Sequence, residues 1–506
     1  MGAIHRRWSL LGILCLVRLV TCRAVRFGLN LTWEDREIAG VVRKVILSNG
    51  QLPGPTLGVK QGDEVECSVT NLMPFATTVH FHGIIQLGTP WSDGTPGLSQ
   101  EPIEPGDTFI YRWTAVKYGS YAYHSHSRGR LIDGLYGAIY VEPEKSVEKP
   151  FKLTTEDATN LFAMIEAEAK TEPLMLSDWR FLTSEVIWQA ELDSGCESIC
   201  SNAILINGKG SAWCLPQAKI NNLAIAGQRI LLGNHTLTDI GCFPSIDSLF
   251  GTYPRETSLL PRGFDRGCIP GDGPEEIIRV DPHSLYISRD VISMAGSSNL
   301  VFAIDEHPMY VYAIDGRYVQ PIFVEAIEIP TGSRYSVLVE LKQNRSAGDY
   351  TSAPPTTDLI NLSTARAQCL VPFPIQLPAP TLNRTFILNI ERYHDSYRWQ
   401  LGNSSYPLNL EDAQPALFNS SSIAFPHSVS TFNDTWLRDT FSTLAARGPS
   451  GRWFAIRYEV INPGPFRFHC HLQMHQTGGM ALALMDGVDA WPIVPEEYQL
   501  SADKRV

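Results

Sequence analysis

The sequence predicts an all-β protein made of three consecutive blocks, and two observations support that class. Short runs of Val, Ile, Phe and Tyr are cut by Gly and Pro, which is the composition of strands divided by turns. Several of these runs alternate apolar and polar residues, as a strand with one buried face does. Strong helical periodicity is scarce along the chain, so we expect helices to contribute little.

Three segments show the alternation most clearly and are predicted strands. They are GDEVECSVTNL, DTFIYRWTA and RWFAIRYEVIN, which occupy residues 62–72, 107–115 and 452–462. Two dipeptides, Asp315-Gly316 and Thr331-Gly332, fall between apolar runs and have turn chemistry. The predicted strands and turns therefore follow one another at the short spacing of an all-β fold.

The three blocks are expected to be separate domains. The first covers residues 26–145, the second 173–345 and the third 381–498. Between the first two blocks, EKSVEKPFKLTTEDATN is charged and polar and is predicted to be a linker. Within the second block, the stretch Cys196–Cys268 is rich in cysteine, and we expect a loop-rich insertion held by disulfides.

The N-terminus indicates secretion. Two arginines precede the apolar run Trp8–Val17, and small residues follow, with cleavage expected after Cys22 or Ala24. This arrangement predicts a signal peptide over residues 1–24; the alternative is a membrane anchor. Eight N-x-[ST] sequons support a secreted glycoprotein, extracellular or in the cell wall. They lie at Asn30, Asn234, Asn344, Asn361, Asn383, Asn403, Asn419 and Asn433.

Composition limits the partners. Hydrophobic residues make up 44% of the 506-residue chain and charged residues 19%, which is typical of a globular protein. The net charge of −12 argues against nucleic acid or an anionic membrane as partner. If Cys470 binds a metal, seven cysteines remain after the signal region. Seven is odd, so at least one has no disulfide partner within this chain.

The stretch FHCHLQMHQTGGM, residues 468–480, carries the most specific signal. On a strand, side chains alternate, so His469 and His471 would face one way and Cys470 the other. Beyond Cys470, the spacing places His475 and Met480 on a short loop. A thiolate, an imidazole and a weak thioether are ligands of a blue-copper site, which needs one more imidazole. Zinc is the alternative, although a thioether is a poor zinc ligand.

Two further histidine pairs lie in the first block. VHFHG contains His80 and His82, and YHSHS contains His124 and His126, each pair on one face of a predicted strand. One such pair is more often an ordinary strand feature than a pair of ligands. Three pairs in one chain, one of them flanking a cysteine, predict a nitrogen-rich site for several metal ions. Imidazole suits copper, and closely placed coppers suit oxygen chemistry.

These motifs resemble those of the multicopper oxidases, specifically the fungal laccase-like members. HFHG, YHSHS and HCHLQMHQTGGM resemble three of the four copper-binding motifs of that family. GTPWSDGTPGLSQEPIEPGDTFIYRW resembles its first domain, and DEHPMYVYAIDGRYVQP its second. NPGPFRFHCHLQMHQTGGMALALMDGVDAWPIVPEEY is similar to ascomycete members that act in pigment and secondary-metabolite pathways. The resemblance implies three cupredoxin-like Greek-key domains, each a β-barrel or sandwich, and a monomer.

The resemblance also implies four coppers and a role for each ligand. Cys470 and His475 would hold the type 1 copper, with Met480 as its axial neighbour. The type 2 copper would lie on His80. The paired type 3 coppers would lie on His82, His124 and His471, and on His126 and His469. Electrons would pass from Cys470 through His469 and His471 to the copper cluster, where dioxygen becomes water.

One expected motif is missing. The family's fourth motif supplies three histidines ahead of a segment like WLRDT, Trp436–Thr440, but the preceding stretch here holds only His427, which we interpret as a surface histidine. The interval from Phe418 to Arg438 is also too short for the strands that should carry the motif, so the third domain lacks internal strands as written. Either the gene model has skipped an exon, or the deletion is real. A real deletion would leave unpaired sheet edges and a broken core.

Three functions are compatible with these residues. The leading hypothesis is a secreted oxidase that removes single electrons from phenols, expected to be polyketide-derived, in pigment or secondary-metabolite synthesis. A ferroxidase would need acidic side chains beside the type 1 imidazoles. A degenerate chain would bind copper as a glycoprotein without catalysing oxidation.

Overall fold

The computed structural model describes residues 24–341, 364–365, 371–374, 387–402, 405–407, 417, 439–440, 456 and 458–499. We call residues 24–149 the N-terminal segment, 150–341 the middle segment and 387–499 the C-terminal segment. Of the predicted signal peptide, only Ala24 lies within the described residues. The interval from Phe418 to Arg438, with His427, lies outside them.

The N-terminal segment is a sandwich of two four-stranded sheets, ordered β2-β1-β4-β6 and β3-β8-β7-β5. Leu29, Val69 and Tyr111 from the first sheet meet Phe81, Tyr123 and Ile139 from the second in one buried core. The strands are β1 Ala24–Ile38, β2 Val41–Ser48, β3 Gly54–Lys60, β4 Glu64–Asn71, β5 His80–His82, β6 Thr108–Thr114, β7 Gly119–His124 and β8 Tyr136–Glu142. The first two predicted strands are therefore present as β4 and β6.

The middle segment contains a six-stranded sheet, ordered β10-β9-β11-β16-β13-β14, and two strands of a second sheet, β12-β15-β17, whose third strand follows the segment in the chain. Its strands are β9 Glu172–Trp179, β10 Ala203–Ile206, β11 Tyr286–Ser293, β12 Leu300–Ala303, β13 Met309–Ile314, β14 Arg317–Val324, β15 Ala326–Ile329 and β16 Arg334–Glu340, with β17 at Thr364–Ala365. Both predicted turns are present. Asp315 and Gly316 join β13 to β14 with φ of 47° and 73°, as a tight two-residue hairpin requires.

The middle segment also corrects one expectation. The predicted linker ends in α1, Ala158–Ala169, whose N-terminus is capped by Asp157 accepting a hydrogen bond from the Asn160 amide. Met164 and Ala167 pack with Tyr286 of β11 in a buried cluster. Tertiary packing thus stabilises a helix whose sequence carries little periodicity. The other helices of this segment are α2 Ser184–Ser194, α3 Gln217–Leu223, α4 Ala226–Leu232 and α5 Asp247–Phe250.

The cysteine-rich insertion is held by two disulfides, Cys200–Cys242 and Cys214–Cys268. It is rich in loops with the short helices α3 to α5, as expected. Cys67, Cys196 and Cys470 are free thiols among the described cysteines. Within the described residues, no helix is both long and apolar enough to cross a membrane.

The described part of the C-terminal segment contains two antiparallel pairs, β18 with β19 and β20 with β21. The elements are β18 Ile390–Arg392, β19 Trp399–Leu401, β20 Gly464–His469, α6 Gln473–Thr477 and β21 Ala481–Asp486. The third predicted strand, residues 452–462, is not present in its described part, because residues 458–461 are irregular. Most of residues 452–457 lies outside the described residues. Short 3-10 turns occur along the chain at Pro90–Ser92, Pro150–Leu153, Thr257–Leu259, Val488–Ala490 and Glu496–Tyr498.

Candidate metal centre

The first two histidine pairs are brought together by one strand pairing. Strand β5 runs antiparallel to β7, and His80 lies directly opposite His124. His82 follows two residues along β5 and so lies on the same face of the sheet as His80. His126 lies just beyond the end of β7 rather than on it. The four imidazoles therefore gather where this sheet ends.

The third pair comes from the hairpin of β20 and β21. The strand ends at His469, so Cys470 and His471 begin the loop and FHCHL is not a strand throughout. The Cys470 amide donates to the Met480 carbonyl at 3.0 Å, and the Met480 amide donates to the His475 carbonyl at 2.9 Å. These two bonds close the loop on itself. His475 lies on α6 within it, and the Met480 side chain is buried.

The six imidazoles of the three pairs form one cluster. Ring centroids are 5.0 Å apart for His82 and His471, 5.1 Å for His126 and His469, and 4.0 Å for the stacked rings of His80 and His126. Nitrogens of His82, His124 and His471 all lie within 4.8 Å of one another, as do those of His80, His124 and His126. Residues more than 340 positions apart in the chain thus share one site.

Hydrogen bonds fix which nitrogen of each ring faces the cluster. In His80, His124 and His469, Nδ1–H donates to a nearby backbone carbonyl at 2.6, 2.9 and 2.9 Å. The Nδ1 atoms of His126 and His471 bond the hydroxyls of Thr95 and Thr331 at 3.1 and 3.0 Å. Each of these five rings therefore presents Nε2 to the cluster.

His82 is oriented the other way. Its Nε2 lies 3.0 Å from the Thr440 hydroxyl, and its Nδ1 lies 3.3 Å from Nε2 of His124. The carboxylate of Asp439, 3.6 Å from the same Nε2, accepts two bonds from Arg334. Burial alone would raise the pKa of Asp439, but the Arg334 charge outweighs it and holds that pKa well below its usual range. An anion thus lies on the outer side of His82.

The cluster has the properties of a metal site. Burial, followed by repulsion from neighbouring imidazoles or from Arg467, lowers the pKa of four of its rings well below the usual value. They are His124, His126, His469 and His471. Neutral imidazole is the form that binds metals. Within the described residues, Nε2 of His126 and of His471 is buried with no hydrogen-bond partner. Such a nitrogen is costly unless an ion occupies the space it faces.

A second site lies on the other side of the Cys470 loop. The Cys470 thiol is 3.4 Å from Nδ1 of His475. Burial raises the pKa of Cys470 to about 12, so a bound cation is needed to stabilise its thiolate. Burial lowers the pKa of His475, which keeps that ring neutral. The donor set of thiolate, imidazole and nearby Met480 suits copper.

A buried acid lies against the outer edge of His475. Glu197 Oε1 is 3.3 Å from His475 Nε2 and accepts a hydrogen bond from the Trp399 indole at 2.8 Å. Its Oε2 accepts from Arg392 at 2.7 Å. The Trp399 ring lies 4.5 Å from the His475 ring. The carboxylate beside His475 is therefore neutralised by a cation and covered by an indole.

The structure brings the six paired histidines into one cluster and the Cys470 thiol beside His475, and it buries the Met480 side chain in the same loop. Their roles as copper ligands stay a prediction. Sequence reasoning missed the side chains that orient them, namely Thr95, Thr331, Thr440, Asp439 and Glu197. Two weak signals were available: Thr95 lies in the WSDGTP stretch, and Asp439 and Thr440 end the WLRDT stretch. His394 is exposed, and its Nδ1 lies 3.1 Å from Oδ2 of the neighbouring Asp395.

This fold and donor set agree with the comparisons to known proteins. Multicopper oxidase family models match residues 30–146, 170–364 and 407–490. The chain is also 34% identical to laccase abr2 of Aspergillus fumigatus, over 96% of this chain and 98% of that protein. It is 33% identical to multicopper oxidase MCE of Talaromyces pinophilus, over 96% of each chain. The chain belongs to the multicopper oxidases, which are oxidoreductases, and its metal is copper.

Solved structures show the same all-β fold of cupredoxin-like domains. The laccase from Botrytis aclada aligns with a TM-score of 0.63 and 20% identity, over 94% of this chain and 90% of that one. Fet3p, a multicopper oxidase that functions in iron import, aligns with a TM-score of 0.61 and 18% identity, over 95% and 94%. At these identities the likeness concerns the fold alone.

The alignment to laccase abr2 extends over 584 residues, which exceeds the 506 of this chain. Gaps must therefore open in this chain, where the relative carries residues that it lacks. This agrees with the predicted internal loss before Trp436. The position of that loss stays a prediction, because Phe418 to Arg438 lies outside the described residues.

Proposed function

We propose that this protein is a secreted laccase-like oxidase. It takes single electrons from a phenolic, polyketide-derived substrate and reduces dioxygen to water, in fungal pigment or secondary-metabolite synthesis. One observation carries the proposal: Cys470 touches His475 on one side, while its two chain neighbours lie in the imidazole cluster on the other. A single tripeptide thus joins the place where electrons enter to the place where dioxygen would bind.

We assign the side chains as follows. Cys470, His475 and Met480 hold the type 1 copper, and His80 holds the type 2 copper. His82, His124 and His471 hold one type 3 copper, which fits the mutual approach of their nitrogens. His126 and His469 hold the other. Bound copper supplies reversible one-electron chemistry at all of these positions.

The chain itself provides the route between the two sites. Peptide bonds join Cys470 to His469 and to His471. The Nδ1–H of His469 also donates to the Cys470 carbonyl at 2.9 Å, which adds a hydrogen-bonded contact beside the covalent route. The electron therefore needs no side chain outside this tripeptide. On the substrate side, the His475 side chain is 19% exposed, and the Trp399 indole offers an aromatic surface beside it.

Glu197 gives a specific reason to keep a ferroxidase as the second candidate. A carboxylate beside the His475 imidazole is the feature that such an enzyme needs. Arg392 neutralises that carboxylate, however, and Trp399 covers it. A divalent cation would therefore find little net attraction there, which favours a neutral phenol.

The first test is dioxygen uptake by the copper-loaded chain, with a phenol and with ferrous ion in parallel. We expect uptake with the phenol, and we expect Cys470→Ser to lose both the blue colour and turnover, because the thiolate would hold the copper that receives the electron. Cys67→Ser, which changes a buried free thiol in the sheet core, is the matched control and should retain both. Turnover that survives in Cys470→Ser would refute the electron route.

The other outcomes separate the alternatives. Uptake with ferrous ion alone favours the ferroxidase. Copper binding without uptake on either substrate favours a degenerate copper-binding glycoprotein. The transcript across Phe418 to Arg438 shows whether a histidine-rich segment has been left out of the sequence, and we favour that explanation over a real deletion.

We also propose that the chain is a monomeric secreted glycoprotein with the three blocks as its domains. Of the eight sequons, Asn30 and Asn234 lie in the described residues, and both are exposed. Their exposure supports glycosylation at these two positions.

A further inference from the structure

The turn between β15 and β16 in the middle segment lies against the His471 ring. Thr331, at this turn, is buried. Its hydroxyl donates to the Ala295 carbonyl and lies 3.0 Å from Nδ1 of His471. Since the hydroxyl proton is used on Ala295, the oxygen is left to accept Nδ1–H of His471. One side chain thereby sets the tautomer of this imidazole.

The next residue shapes the space for the ring. Gly332 has a φ of +80°, and a Cβ at this position would lie 2.7 Å from Cδ2 and 3.0 Å from Nε2 of His471. Those distances are far inside van der Waals contact. Only glycine allows the imidazole to approach the turn this closely, so the backbone itself helps to place the ring.

Two residues further on, the same turn reaches a second imidazole. The guanidinium of Arg334 is fully buried, and it donates to the Ser120 carbonyl at 3.1 Å and the Gly332 carbonyl at 3.1 Å. It also holds Asp439 through two bonds of 2.5 and 2.6 Å. The adjacent Thr440 hydroxyl then contacts Nε2 of His82 at 3.0 Å. One arginine thus connects all three segments beside the cluster.

We propose that residues 330–334, which we call the PTGSR turn, are a positioning element of the copper cluster. The middle segment contributes none of the nine predicted ligands, yet this turn orients two of the three imidazoles of the His82–His124–His471 set. Thr331 and Gly332 act on His471 directly. Arg334 acts on His82 through Asp439 and Thr440. The inference rests on the proposed function, since it concerns the ligands named there.

The first experiment measures the His471 tautomer in the metal-free full chain by nitrogen NMR. In the wild type, Nδ1 should carry the proton. In Thr331→Val, which keeps the shape of the side chain and removes its hydroxyl, the proton should redistribute toward Nε2. Thr331→Ser should restore the wild-type spectrum. Thr171→Val is the matched control. It removes a threonine hydroxyl whose hydrogen-bond partner is Ser288, at 2.9 Å, instead of His471.

The second experiment measures copper retention against a chelator in the same variants. Loss of a group that orients a ligand weakens metal binding by about 10–100-fold. We expect that loss for Thr331→Val and for Gly332→Ala, while the blue absorption of the Cys470 site stays. The control for Gly332→Ala is Gly62→Ala. Gly62 has a φ of +90°, and no atom lies within 4 Å of a Cβ added there. It introduces the same backbone strain without touching an imidazole.

The results separate the two proposals. An unchanged tautomer and unchanged copper retention in Thr331→Val and Gly332→Ala would overturn the positioning role. Equal losses in Gly332→Ala and Gly62→Ala would also overturn it, because strain alone would then be the cause. A wild-type chain that takes up no copper overturns the proposed function alone, because the NMR measurement needs no metal.

Discussion

At the scale of single residues, each imidazole of the cluster is fixed by the nitrogen that faces away from it. Three rings donate a hydrogen bond to a backbone carbonyl, and the other three bond a threonine hydroxyl. The three threonines come one each from the N-terminal, middle and C-terminal segments. Two of the carbonyl bonds are local, since His124 and His469 each bond the next residue, whereas His80 bonds Asp93. The threonine bonds join distant parts of the chain. For four of the six rings, the partner that fixes the orientation therefore lies outside the histidine motifs.

At the same scale, a buried ion pair lies beside His475. Glu197 is fully buried, and Arg392 is mostly buried above it. Removing one partner of such a pair leaves the other charge without compensation, which costs about 3–5 kcal/mol. The pair therefore has a larger effect on the free energy of unfolding than the 2.7 Å distance between Arg392 and Glu197 alone indicates.

We expect Glu197→Gln and Arg392→Met each to lower the free energy of unfolding by about 3 kcal/mol, because each leaves one buried charge. The double variant should lose less than the two single losses combined. Urea titrations of the wild type and the three variants measure the coupling. Simple additivity would show that the two side chains do not interact energetically.

At the scale of elements, β11 carries a buried acid that the proposed chemistry does not use. Asp290 Oδ1 accepts a hydrogen bond from Ser336 at 2.5 Å, while Oδ2 has no partner within the described part of the chain. Burial, with a contribution from Glu168 of α1, raises the pKa of Asp290 to about 7. The protonated, neutral form of Asp290 is therefore the one favoured between β11 and β16.

This acid makes stability depend on pH. The pKa of Asp290 is about 4 in an unfolded chain, so the folded state holds one more proton between roughly pH 4 and 7. Its contribution to stability is full below that window and is lost as the pH rises to 7. We expect Asp290→Asn to be more stable than the wild type at pH 8, by about 1–3 kcal/mol, and similar at pH 4.

Unfolding measured at both pH values checks this expectation. Asp35→Asn is the control, because Asp35 is 62% exposed on the sheet edge and should change little at either pH. If Asp290→Asn is no more stable than the wild type at pH 8, the acid is already ionised and stabilised in the folded chain.

At the scale of the whole molecule, the proposed copper ligands join segments near the two ends of the chain. They come from β5 and β7 near the N-terminus and from the β20–β21 hairpin near the C-terminus, with the PTGSR turn between them. An ion that binds only the folded arrangement stabilises it by mass action. Copper should therefore act as a clamp between segments as well as a redox centre.

We expect removal of copper with a chelator to lower the unfolding temperature of the full chain. Free copper at 100 times its Kd contributes about 2.7 kcal/mol for one site, so the shift should be of several degrees. A variant with His80→Gln and His124→Gln is the control and should lose most of the copper-dependent shift. Equal unfolding temperatures with and without copper in the wild type would contradict the clamp.

Much of this molecule follows from local sequence. Alternation identified β4 and β6, and Asp315-Gly316 identified the β13–β14 hairpin, because strand and turn chemistry reside in a few adjacent residues. The helix α1 was missed for the opposite reason. Its stability comes from packing Met164 and Ala167 against Tyr286, more than a hundred residues away.

By itself, the sequence determined the all-β class, the histidine pairs, the Cys470 loop and the resemblance to multicopper oxidases. These are patterns of residue type and short spacing, which the chain carries before it folds. Only the tertiary structure decided that six imidazoles share one cluster, that His82 faces it through Nδ1, and that Arg392 neutralises Glu197. The reason is that each of these facts depends on atoms from segments distant in sequence, and packing alone sets the distances between them.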